Sequence, residues 1–122
     1  MIKRTVSAAE FGRVAVLMGG RSAEREISLI SGNAVLAGLQ RSGIDAYGID
    51  VSFDICQKMN SGEFDRAFIV LHGRGGEDGE IQGFLQAINL PYTGSAISAS
   101  VLSMNKRLSK LAWIQQGLPT AL

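Results

Sequence analysis

The sequence predicts an α/β domain with a mostly parallel sheet covered by helices on both faces. Three observations predict it. Short, continuously apolar runs read as strands buried on both faces. Helical periodicity alternates with them along the chain. Glycine clusters stand directly after two of the runs, at the end of a parallel sheet where ligands bind.

The first run is Val14-Ala15-Val16-Leu17-Met18, ended by Gly19-Gly20. From Glu24 to Gln40, Ile27, Ile30, Ala34 and Ala37 recur at helical spacing, and Gly38 extends that face. Arg41-Ser42-Gly43 stops this helix. A weaker strand reads from Ala46 to Val51, and a short helix is expected between Phe53 and Asn60. Ala67-Phe68-Ile69-Val70-Leu71 is the second apolar run, ended by His72-Gly73. From Glu80 to Asn89, Ile81, Phe84 or Leu85, and Ile88 form an apolar stripe, with Gln82, Gln86 and Asn89 on the other side. A short strand is expected at Tyr92-Thr93 after Pro91. Two further helices follow, Ala96 to Met104 and Lys106 to Gln116, and Gly117 and Pro119 end the second.

Composition narrows the function. The chain has 122 residues, 46% hydrophobic and 19% charged, which suits one globular domain with its own core. Its net charge is +1, so no bulk nucleic-acid or membrane surface is expected. One cysteine, Cys56, cannot form an internal disulfide, which fits a reducing compartment and a cytoplasmic location. Cys56 has no histidine near it in sequence and reads as a small buried residue. Residues 1–13 lack the apolar stretch of a signal peptide.

The 15 glycines need a local reason. Gly19-Gly20-Arg21-Ser22-Ala23-Glu24 leaves the first strand and opens the first helix. It is either a tight turn with Ser22 as a cap or a ligand loop, whose backbone contacts would come from Gly19, Gly20 and Ser22. It lacks G-x-G-x-x-G, and no Walker loop occurs in the chain, which argues against a nicotinamide dehydrogenase and a P-loop kinase. His72-Gly73-Arg74-Gly75-Gly76-Glu77-Asp78-Gly79-Glu80 is the more unusual stretch. Its glycines interleave with ionisable residues, as a backbone wrapped closely around a small molecule would require, and Gly75 and Gly76 are its candidate contacts. His72 is the only histidine, set at a strand end facing this loop. Asp78 or Glu77 reads as a cap for the next helix. A metal site from His72, Glu77, Asp78 and Glu80 lacks supporting ligand spacing, so no metal ligands are assigned to this chain.

Four motifs together, Val14 to Ser28 (VAVLMGGRSAEREIS), Leu71 to Glu80 (LHGRGGEDGE), Leu90 to Ser95 (LPYTGS) and Ser100 to Lys110 (SVLSMNKRLSK), closely resemble the N-terminal domain of D-alanine–D-alanine ligases. The resemblance runs from about Arg13 to Thr120. It implies a pre-ATP-grasp domain, a three-layer sandwich with a mostly parallel, Rossmann-like sheet, spanning residues 1–122. It implies an enzyme that uses ATP and Mg²⁺ to join two D-alanines through an acyl phosphate, for peptidoglycan precursors. By the match, Glu24 pairs with the ammonium of the first D-alanine, His72 lies beside its carboxylate, and Lys106 contacts ATP phosphates. Glu24 and His72 are thus the catalytic candidates. Asn105 departs from the aspartate expected before that lysine, which bears on how Lys106 is oriented.

The central and C-terminal ATP-grasp domains of the family, which carry the Mg²⁺ ligands, find no counterpart in these residues. The 122 residues are therefore expected to be inactive alone, with the apolar residues Leu108, Leu111, Ala112 and Trp113 left partly exposed. Pairing of two copies is a further implication of the resemblance. The alternatives are a D-alanine–D-lactate ligase, another ATP-grasp ligase, or a non-catalytic α/β module that binds a small metabolite.

Overall fold

The computed structural model describes residues 4–52, 54–59 and 62–121. In chain order the elements are β1 (Arg13–Met18), α1 (Arg25–Arg41), β2 (Asp45–Asp50), α2 (Ile55–Lys58), β3 (Arg66–Ile69), α3 (Glu80–Ala87), α4 (Ile97–Met104) and α5 (Lys106–Gln115). A 3-10 turn at Ala8–Phe11 precedes them. Its signal was the Ser7-x-x-Glu10 pattern: the Ser7 N–H donates to Glu10 Oε2 at 2.9 Å, as in a capping box.

The sheet is parallel throughout, in the order β2-β1-β3. β1 is central because its residues are apolar on both faces. Val14, Val16 and Met18 point into one cluster with Leu29, Val35, Leu36 and Leu39 of α1. Ala15 and Leu17 point into the other, with Met59, Leu71, Ile81 and Leu85. The result is three layers: α1, the sheet, then α2 and α3. The short strand expected at Tyr92-Thr93 is only a single parallel bridge, Ala67 to Tyr92. Its backbone bonds run from Ala67 N–H to Pro91 O at 2.9 Å and from Thr93 N–H to Ala67 O at 3.2 Å. Beside it the α1 face of β3 is thinly covered, leaving an apolar groove of about 360 Å³ lined by Phe11, Leu39, Phe68 and Tyr92 among others.

Two expectations about helix faces are corrected. Ile27 and Ile30 do not face the sheet; they are 60% and 73% exposed. The buried line of α1 runs through Ser28 and Gly32 instead. Gly32 sits so close to β1 that a methyl group there would stand 2.4 Å from Met18 Cβ. This close approach, with Leu29, Val35, Leu36 and Leu39 packed on the same side, fixes the face that turns inward. In α3, Gln82 is buried at 5% exposure while Ile88 is exposed. The Gln82 amide donates to Gly76 O at 2.8 Å, so a polar side chain goes inside to serve the preceding loop. Cys56 is exposed rather than buried, because α2 turns Ile55 and Met59 toward the core. The ends of the helix expected between Phe53 and Asn60 lie outside the described residues.

At the far end, α4 and α5 pack on each other. Ser109, buried between them, donates to Leu102 O at 2.7 Å. Leu111 is 53% and Trp113 46% exposed, Leu108 is also exposed, and Ala112 is half-buried. Gly117 (φ 73°) closes α5, with the Leu118 N–H on Trp113 O at 2.8 Å, a Schellman-type end.

Candidate functional site

Both glycine loops leave carboxyl ends of adjacent parallel strands, β1 and β3, so the topology sets them side by side. One buried hydroxyl fixes their spacing. Ser28, fully buried on α1, accepts from the Gly19 N–H at 2.9 Å and donates to the Val70 carbonyl. The end of β1 is thereby tied to the end of β3, two residues before His72.

A second tie lies at the rim. The Ser22 hydroxyl donates to His72 O at 2.9 Å and accepts from the Glu24 N–H at 3.1 Å. Glu24 is the residue that precedes α1, and its carbonyl accepts the first helical bond, from Ser28 N–H at 3.0 Å. Its carboxylate lies against the other loop: a methyl group on Gly73 (φ +71°) would stand 2.5 Å from Glu24 Oε2. Glycine at 73 supplies both the left-handed backbone and the room for that carboxylate. The loops that carry Glu24 and His72 therefore meet side by side, with Glu24 lining the cleft between them and His72 behind Gly73, outside its lining. Arg21, Ser22, Glu24, Gly73, Gly75 and Glu80 line the cleft of about 490 Å³ between the loops.

The loop after β3 is braced internally. Asp78 accepts from Gly75 N–H at 3.1 Å and from Glu80 N–H at 3.2 Å. It serves the first turn of α3 although Gly79 (φ +97°) occupies the cap position. Gly73 O accepts from the N–H groups of Gly76 and Glu77 at 3.2 and 3.1 Å. Gly76 is buried and packs directly on Leu71. His72 Nδ1 is 4.0 Å from Glu77 Oε1. His72 Nε2 is buried and has no hydrogen-bond partner among the described residues. Buried polar atoms are normally paired; among the described residues His72 Nε2 and Gln82 Oε1 are the two without a partner.

Sequence reasoning missed a pair that pins the first loop. Arg25 grips Asp50 with two parallel bonds, Nη1 to Oδ1 at 2.7 Å and Nη2 to Oδ2 at 2.5 Å, and its Nη1 also donates to Gly20 O at 3.0 Å. The pairing joins the start of α1 to the end of β2, residues 25 apart in sequence, and no local spacing signals it. The Arg25 hydrogen bond holds the Asp50 carboxyl below its ordinary value, against a smaller opposing effect of burial. The sign follows from linkage: the stabilisation is complete above about pH 4 and is lost as pH falls through the lowered value. Both side chains are more than a third exposed, so solvent screens the pair and its contribution is small. Acidification below about pH 4 is expected to loosen residues 19–25 before the sheet melts, read as selective line broadening of their amide signals. Asp50→Asn should show the same loosening at neutral pH.

Lys106 is the first residue of α5 and is exposed. It makes no hydrogen bond or ion pair among the described residues. The departure at Asn105 keeps the helix start: Asn105 Oδ1 accepts from Leu108 N–H at 3.0 Å, and asparagine caps as well as aspartate. Among the described residues no three His, Cys, Asp or Glu side chains gather as a metal site. One exposed ammonium suits a phosphate oxygen, but it does not make a nucleotide or Mg²⁺ site, so the donors described here do not by themselves fit either group. No described helix is long and apolar enough to cross a membrane.

A carboxylate and an imidazole on adjacent glycine loops stand at the carboxyl end of a parallel sheet, the place where α/β domains of this class hold their ligands. Comparison with known proteins is specific. A family model described as D-ala D-ala ligase N-terminus matches residues 52–95. D-alanine–D-alanine ligase of Ectopseudomonas mendocina (strain ymp) is 63% identical over 110 residues, 90% of this chain and 35% of the relative. That of Pseudomonas fluorescens (strain Pf0-1) is 60% identical over 116 residues, 95% of this chain and 36% of the relative. The crystal structure of D-alanine–D-alanine ligase from Bacillus anthracis, complexed with ATP, superposes with a TM-score of 0.80 at 33% identity, over 88% of this chain and 37% of that one. The chain belongs to the D-alanine–D-alanine ligase family and has the fold of its N-terminal domain. It spans a little over a third of the length of the curated relatives it matches.

Proposed function

We propose that this chain supplies half of the site for the first D-alanine in an ATP-dependent ligase that joins two D-alanines. One observation carries the reading: the Glu24 carboxylate rests against Gly73, the residue after His72. A free amino acid presents an ammonium and a carboxylate a few ångströms apart. Glu24 offers the anion that pairs with the ammonium. His72 stands beside the position that the carboxylate would take, and its unpaired Nε2 gives it a proton to share or a lone pair to offer. Gly19, Gly20, Gly75 and Gly76 let backbone approach a molecule this small. ATP supplies the energy for joining, and Lys106 is the residue of this chain assigned to its phosphates. The Mg²⁺ ligands are assigned to other parts of the protein.

The exposed Leu108, Leu111 and Trp113 are assigned to contact with the ATP-grasp domains. The outward Ile27 and Ile30 give a second copy an apolar surface. The whole protein is placed in the cytoplasm, where ATP is available.

The test is kinetic. A charge-assisted hydrogen bond contributes about 1.5–3 kcal/mol. In the complete gene product Glu24→Gln should therefore raise the KM for the first D-alanine roughly 10- to 150-fold. Unchanged kinetics would remove Glu24 from the site. The 122 residues alone are expected to release no phosphate when ATP and D-alanine are added.

A further inference from the structure

We propose that Ser22, read from sequence as a substrate contact, is instead a positioning residue that holds Glu24 and His72 at their working separation. The inference rests on the site proposed above. A serine hydroxyl has one proton and two lone pairs. Here the proton is committed to His72 O at 2.9 Å and one lone pair to the Glu24 N–H at 3.1 Å. Ser22 cannot donate to a substrate carboxylate without breaking its bond to the second loop. The bond to His72 O spans 50 residues of sequence, and together the two bonds join the backbones of the two residues assigned above to the ligand. Ser22 also packs on the α-carbon that shapes the Glu24 pocket: a methyl group on Gly73 would lie 3.3 Å from Ser22 Oγ and 3.4 Å from its Cβ. Ser28 ties the strand ends deep in the core, whereas Ser22 ties the two loops at the rim. Ser22 is half-buried, so its removal leaves the core intact.

The test compares steady-state kinetics of the complete gene product with D-alanine varied. Ser22→Ala should lower kcat/KM about tenfold, the factor for one hydrogen bond, with the thermal midpoint unchanged. Ser22→Thr, which keeps the hydroxyl, should restore most of the loss. On a Glu24→Gln background, Ser22→Ala should cost less than threefold further, because the group it positions is already disabled. A full tenfold loss on that background would mean direct contact with substrate and would overturn the proposal. So would a Ser22→Ala enzyme with unaltered kinetics. If Glu24→Gln itself changes nothing, the site reading fails first and the role of Ser22 falls with it. That pattern is distinct from a silent Ser22→Ala beside a damaged Glu24→Gln.

Discussion

Ser28→Ala should destabilise the domain by about 2–4 kcal/mol. The side chain is small, but it is fully buried, and its hydroxyl serves two backbone groups at once. Alanine removes both bonds and leaves the Gly19 N–H and the Val70 carbonyl without that partner. Each unsatisfied buried group costs about 1–3 kcal/mol, reduced where the loop shifts to admit water. The loss should appear as a lower denaturant midpoint with an unchanged slope. It should also fall on the site, because Gly19 opens the first loop and Val70 stands two residues before His72. A loss below about 1 kcal/mol would show that the strand ends are held by something other than this hydroxyl.

Gly76→Ala should be comparably damaging for a different reason. A methyl group there would stand 2.4 Å from Leu71 Cβ and 2.8 and 2.9 Å from the Leu71 carbonyl carbon and oxygen. Backbone cannot step aside as a flexible side chain can. Overpacking costs about 1–3 kcal/mol in typical cores, and this site belongs at the upper end. Relief requires the 72–76 turn to open, which moves His72 and Gly73 away from Glu24. Gly83→Ala is the internal control. It lies inside α3, its added methyl meets only Ile97 Cδ1 at 3.9 Å, and alanine is the better helix former by about 0.8–1 kcal/mol. Chemical denaturation should give opposite signs for the two substitutions. Equal effects would mean that the close contact with Leu71 is not what makes position 76 a glycine.

These cases show which parts of the molecule its sequence discloses. β1 and β3 were legible because strands covered on both faces need apolar residues at consecutive positions. The loops were legible because glycine clusters have few other uses after a strand. The inward face of α1 was not, since Ile27 and Ile30 satisfy helical periodicity as well as Leu29 and Val35 do. The approach of Gly32 to Met18, with Leu29, Val35, Leu36 and Leu39 packed on the same side, decides between them. Ser28 stood inside a recognised motif, yet its partner at Val70 lies 42 residues away, and no local pattern signals such a pairing. The same holds for Arg25 and Asp50. Glu24 and His72 became candidates through resemblance, and the fold sets the loops that carry them side by side. Lys106 is a different case: its position at the start of α5 is plain, but the contacts described here give it no partner.

The central claim is that Glu24 and His72 clasp one amino acid between the two loops. The most direct measurement is a crystal structure of the complete gene product with D-alanine bound. The ammonium nitrogen should lie about 3 Å from a Glu24 carboxylate oxygen, with the carboxylate of the same molecule beside His72. D-alanine seated away from these loops, or turned so that its ammonium faces neither Glu24 oxygen, would contradict it.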